Sequence, residues 1–298
     1  MALVLMGISG ASAHPGLHHD WQQTQLQLEA QPFNPEIRLR RSQLARLQGQ
    51  MLTSYYEARW ARALAPNAAG PHRGLGLAAL GLGLRHQAHG HLQAYFAAGG
   101  QAFDARVALA KLNWQRGLHT KALAQLELAL EGKPDVEVGL LRARWLQSRG
   151  QAAAAVAGLR DLMPKLSGAL LIRRELVAME RDRGHGEAAL AEVDKALKFA
   201  PKDVGWQLER ARILQSLRRP EDAQQSLRVA LASVNYAITR RPTALRLAQR
   251  AEVRLALGDR RGASDDIIEA LRKSPSFKKA QTMASALNLP AAPKETLP

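Results

Sequence analysis

The chain has 298 residues, 46% of them apolar but only 5% aromatic, and a formal net charge of +16. It contains no cysteine, which excludes disulfides, thiolate metal sites and thiol nucleophiles. Ala and Leu carry most of the apolar mass, a composition suited to close-packed helices. The basic excess, 31 Arg against 11 Lys, is spread along the chain rather than gathered in an arm. It reads either as solvated helix faces or as attraction to an acidic partner: a protein tail, an anionic polymer or a lipid surface. Aromatic residues do not interleave with the basic ones and no recognised nucleic-acid-binding motif occurs, so no nucleic-acid partner is expected.

Residues 1–13 read as a signal peptide. An apolar run ends in the small triplet Ala11-Ser12-Ala13, followed by His14 and Pro15, which is the pattern of a leader cleaved after Ala13. The usual basic start is missing, so the leader is expected to be truncated, with the true start upstream of Met1. The mature protein is then periplasmic or secreted. No other stretch approaches ~18 uninterrupted apolar residues, and no transmembrane segment is expected. Residues 14–34 form an N-terminal cap segment, with one amphipathic helix expected around Trp21–Leu28.

A repeat follows. Gly49, Gly83, Gly117, Gly150, Gly184 and Gly258 recur at steps of 33 or 34 residues, the last step spanning two units. Small residues keep the same beat five places later, at Ser54, Ala88, Ala122, Ala155, Ala189, Ala223 and Ala263. This period marks an array of helical repeats. With Gly at position fifteen, the units run 35–68, 69–102, 103–135, 136–169, 170–203, 204–243 and 244–277. Each reads as helix, tight turn, helix. In unit 103–135 the first helix carries Val107, Leu109 and Leu112, Gly117 stops it, and Leu123, Leu126 and Leu130 form the buried face of the second. Position eight is small everywhere except at Val177, which suits closely approaching helices. Unit 69–102 is rich in glycine and is expected to hold the least stable helices. Unit 204–243 has six extra residues, expected to lengthen its second helix through Ala230–Arg240. Residues 278–288 give a capping helix, and the Pro-rich residues 289–298 a disordered tail.

Small at eight, Gly at fifteen, Ala at twenty and at twenty-seven, and Pro at thirty-two resemble the tetratricopeptide repeat. Tyr95 and Leu162 depart at position twenty-seven, and the aromatic of position four is missing, with Trp206 one place early. With its leader, the chain looks like uncharacterised exported bacterial tetratricopeptide proteins. The resemblance implies an all-α, right-handed superhelical solenoid of about seven repeats over 35–277, with first helices lining a concave groove. It implies that position nine faces that groove. Lys111, Arg144 and Arg212 stand there, and Arg174 and Arg181, at positions five and twelve, should face the same way. Such a surface would hold an acidic protein or peptide by bidentate Arg–carboxylate pairing. The family's clamp for C-terminal carboxylates is not expected, because Ala178 and Glu252 interrupt the row. Arg also recurs at position seven, at Arg41, Arg142, Arg210 and Arg250; of these, Arg142, Arg210 and Arg250 are expected to lie between helices and pair with acidic residues of the array.

No catalytic constellation is present. There is no phosphate-cradling Gly-Lys-Ser/Thr loop, zinc helix or nucleophile elbow, and Asp265 and Asp266 read as solvated turns. The expected function is a non-catalytic exported scaffold, without cofactor, that binds a protein or peptide in its groove. One alternative is an envelope factor that binds an anionic polymer or membrane surface by charge. Another is a copper- or zinc-binding protein through His14 with His18 or His19, or through His86, His89 and His91.

Overall fold

A computed structural model describes residues 15–166 and 170–289. Among these residues there are sixteen α-helices and no strand. Their packing divides the chain into two compact units, one up to Trp145 and one from Leu146.

The first unit holds α1 (Pro15–Ala30), α2 (Pro35–Leu47), α3 (Met51–Leu64), α4 (Ala69–Gly81), α5 (Arg85–Ala97), α6 (Phe103–Gln115), α7 (His119–Gly132) and most of α8 (Val136–Ser148). The helices pack in consecutive pairs, α2 on α3, α4 on α5 and α6 on α7. α1 is longer at both ends than the expected Trp21–Leu28 stretch, and it packs on α2. Its Trp21 ring lies 4.1 Å beneath the Arg41 guanidinium, and its Gln25 accepts a 2.7 Å hydrogen bond from Arg41. Asn34 caps α2 by accepting the Glu36 N–H at 2.9 Å, just ahead of Pro35 in the first turn.

Small residues let the paired helices meet. Ser42 donates to the Ser54 carbonyl at 2.8 Å across the α2–α3 contact. Gly76 of α4 lies so near α5 that a Cβ there would fall 2.7 Å from Leu92 Cγ. The glycine content of α4 thus has a packing cause. Tyr95 departs from the repeat's Ala because its hydroxyl is used: it accepts the N–H groups of Gln101 and Ala102 at 3.0 and 2.7 Å, ahead of α6.

The second unit holds α9 (Ala152–Leu162), a 3-10 turn (Met163–Lys165), α10 (Leu170–Asp182), α11 (Gly186–Phe199), α12 (Val204–Ser216), α13 (Pro220–Arg240), α14 (Ala244–Ala256), α15 (Arg260–Lys273) and α16 (Lys278–Ala286). One buried cluster joins Ala211, Leu214, Ala223, Leu227 and Ala230 across α12 and α13. Another joins Ala251, Ala263, Ile267 and Ala270 across α14 and α15, and α16 adds Ala280 and Ala284 to it. α13 has 21 residues where α11 and α15 have 14. The extension docks on α14: Asn235 accepts from Arg250 at 3.2 Å, and the Ala237 carbonyl accepts from Arg246 at 2.8 Å.

The turn inside each pair closes in one way. After α6, Gly117 takes φ +75°, and the Leu118 N–H bonds the Asn113 carbonyl at 2.9 Å, a left-handed helix stop. At the matching place after α12 stands Arg218, at φ +58°. The Arg219 N–H still reaches the Leu214 carbonyl at 2.8 Å. The turn geometry therefore persists where glycine is missing.

Candidate functional site

The position-seven arginines lie between paired helices and are taken up by the array itself. Arg41 pairs with Glu57 at 3.0 Å, Arg142 with Glu127 at 3.1 Å, Arg210 with Asp194 at 2.8 Å and Arg250 with Asp266 at 2.5 Å. Each pair joins a first helix to the second helix at its side, and the carboxylate comes fifteen or sixteen residues before or after the arginine. Asp266 corrects one expectation. It is only 3% exposed and is held by Arg250 and Arg254 together, the latter at 2.8 Å, while Asp265 alone is solvated. The bonds to Asp266 raise the Arg250 pKa above its ordinary value. Glu180 was not foreseen at all. Buried in α10, it receives Arg160 of α9 at 2.5 Å, Arg183 at 2.9 Å and His185 at 3.1 Å. Arg183 and His185 follow it in the turn after α10, but Arg160 reaches it from α9, so its burial is not marked by the local sequence.

The five groove residues are all exposed, on first helices of their pairs. The two units each hold one cleft containing some of them. In the first unit Lys111 and Arg144 line a cleft of about 520 Å³ with Arg46. Asp104, Asp135 and Glu137 share that cleft, so its charge is mixed rather than basic.

In the second unit Arg174, Arg181 and Arg212 line a cleft of about 410 Å³ floored by Val177 and Trp206. Arg181 and Arg212 both reach Glu209, at 2.6 and 3.4 Å, and Arg212 lies 3.9 Å from Glu252. Arg174 lies 5.5 Å over the Trp206 ring and forms no ion pair among the described residues. Asp203 fixes this wall by accepting the Trp206 N–H at 2.8 Å, which starts α12. The cleft combines an aromatic surface with three guanidinium groups and one lining carboxylate. This arrangement is suited to a carboxylate-bearing extended chain.

The histidines do not converge. His89 is buried. Its Nε2 lies 3.1 Å from Asn113 Oδ1, and the Arg116 Nη1 lies 2.9 Å from both ring nitrogens. His86 is exposed, and His91 packs against His72, ring centroids 5.8 Å apart. Burial lowers the pKa of His72, His89 and His91, and nearby cations or histidines lower it further. His18 and His19 each contact the Gln one turn on, Gln22 and Gln23, at 3.0 and 2.9 Å. His14 lies outside the described residues. Among the described residues no group of three His or acidic side chains is placed to hold a metal ion.

No protein-family model matches the sequence, and no curated protein matches it. Solved structures do. The C-terminal part of a TPR repeat-containing protein from Cytophaga hutchinsonii is similar at 14% identity and a TM-score of 0.59, over 82% of this chain and 98% of that one. A tetratricopeptide repeat protein from Parabacteroides merdae is similar at 15% identity and a TM-score of 0.47, over 85% and 98%. The fold is that of a tetratricopeptide-repeat protein, a class built from stacked pairs of antiparallel helices. No helix among the described residues is long and apolar enough to cross a membrane.

Proposed function

We propose that this protein is a non-catalytic exported scaffold that binds an acidic protein or peptide on the first-helix face of its array. The observation that carries this reading is Arg174. It lies over Trp206 beside Arg181 and Arg212 without a carboxylate of its own. Its neighbours Arg181 and Arg212 share Glu209, whereas Arg174 forms no ion pair among the described residues and is open to a ligand. The mixed cleft around Lys111 and Arg144 would complement an alternating rather than a purely acidic segment.

The test is capture from an envelope extract with a photo-crosslinking residue in place of Gly205, beside Arg174. The wild-type surface should retain one acidic partner, and Arg174→Glu with Arg212→Glu should lose it. Retention unchanged by that double reversal would move the binding site elsewhere. Export is tested separately. Intact mass of the native protein should give a chain that begins at His14, whereas a cytosolic protein retaining Met1 would refute it.

A second reading, attachment to an anionic polymer or membrane surface, draws support from α3. Leu52, Tyr56 and Trp60 are exposed at a spacing of four and so share one face, close to Arg59 and Arg62. Aromatic side chains beside cations suit the interface of a lipid layer.

A further inference from the structure

A recess of about 500 Å³ opens between α5 and α7, the second helices of successive pairs, above α6. His86, His89, Asn113, Arg116, Lys121 and Gln125 give it its chemistry, and no carboxylate lines it. The sequence supplies the reason. Between Glu57 and Glu127 stand eight Arg and Lys against one acidic residue, Asp104. That carboxylate is occupied by Arg73 at 2.8 Å and Arg46 at 3.5 Å. Arg116 and Lys121 therefore form no ion pair among the described residues, unlike the arginines that cross-link the helix pairs.

The recess is also built. Buried His89, beside Asn113 at 3.1 Å, has the Arg116 Nη1 2.9 Å from both ring nitrogens and so keeps the guanidinium at the rim. Lys121 stands in the first turn of α7, which has Leu118 at its start and no side-chain cap. The uncapped N–H groups add positive potential beside it. Burial and the two cations hold the His89 pKa down.

We propose that this recess binds the phosphate group of a phosphate monoester. Two adjacent cations match a dianion with several acceptor oxygens. A single carboxylate would leave one cation unneutralised. The imidazole of His86 and the amide of Gln125 offer further donors. The site is independent of the peptide-binding reading, since it uses none of the first-helix arginines.

Calorimetry on the full chain with glycerol 3-phosphate at pH 7 tests it. Saturable binding is expected. Arg116→Gln and Lys121→Gln should each weaken it roughly tenfold or more, the loss of one charge-assisted hydrogen bond. Lys121 forms no hydrogen bond among the described residues, so its variant keeps the test valid if Arg116→Gln disturbs folding. Arg174→Gln with Arg212→Gln, which removes two positive charges elsewhere against one in each recess variant, should leave affinity unchanged. Vesicles containing phosphatidic acid form a second arm. Lys121-dependent binding to vesicles alone would assign the phosphate to a lipid headgroup, and binding of the soluble ester would assign it to a small molecule. Absence of saturable binding in both arms, or equal weakening by the Arg174/Arg212 control, would overturn the site.

Discussion

Arg218 does the work of a glycine under strain. Left-handed backbone costs a residue with a Cβ about 1–2 kcal/mol, and Arg218 sits there at φ +58° because the turn between α12 and α13 demands it. Arg218→Gly should therefore stabilise the chain by about 1 kcal/mol, less what glycine adds to unfolded-state entropy. Urea denaturation measures the gain. Arg218→Ala keeps the strain and should show none, and equal gains from both would point to the arginine side chain instead. Asp266 presents the opposite case. Removing its carboxylate with Asp266→Ala leaves Arg250 and Arg254 facing each other across a buried gap. Losing one partner of a buried pair costs roughly 3–5 kcal/mol. The partly exposed arginines place the expected loss near 3 kcal/mol on that scale, read by the same denaturation.

Among the elements, α4 and α5 carry a pH response. His72, His89 and His91 all have folded-state pKa values below the ordinary 6.5, burial being the first cause for each. The unfolded chain then binds more protons than the folded one below 6.5, so stability is full above that value and falls as the pH drops through it. The groups facing His72 and His91 are each other and Arg62; those facing His89 are Asn113, Arg116, His86 and Lys121. All the charged ones are basic, so none favours the protonated imidazole. Protection factors of α4 and α5 amides, corrected for the intrinsic exchange rate, should fall as the pH drops below 6.5, and His91→Gln should flatten the response. An unaltered slope in that variant would assign the effect to other groups.

For the whole molecule, the charge of +16 makes long-range attraction to anionic material unavoidable at low salt. It also supplies the means of separating the two functional readings. Attachment by charge alone should collapse near ~0.5 M salt, where the screening length is well under ~8 Å. A peptide seated on Trp206 and Val177, with bidentate contacts to Arg174, should remain bound there. A pull-down repeated at both salt concentrations decides between them, since loss of every interaction at high salt would favour the surface-charge reading.

The sequence determined the paired-helix fold, because a period near 34 residues repeats the same local demands. A stop residue at Gly117 and its equivalents, small side chains such as Ala110 and Ala122 where axes meet, and apolar spacing on each helix act within one or two units. The pairing of Arg142, Arg210 and Arg250 was legible from their recurrence at position seven, but not whether the carboxylate came from the helix before, as for Arg142 and Arg210, or after, as for Arg250. Tertiary structure decided what depends on convergence from distant positions. It buried Asp266 and Glu180 beneath arginines from separate turns, mixed three carboxylates into the cleft of Lys111 and Arg144, and divided the histidine cluster. His89 was drawn inward while His86 remained in solvent, because a three-residue spacing shares a helical face without sharing its depth in the packing.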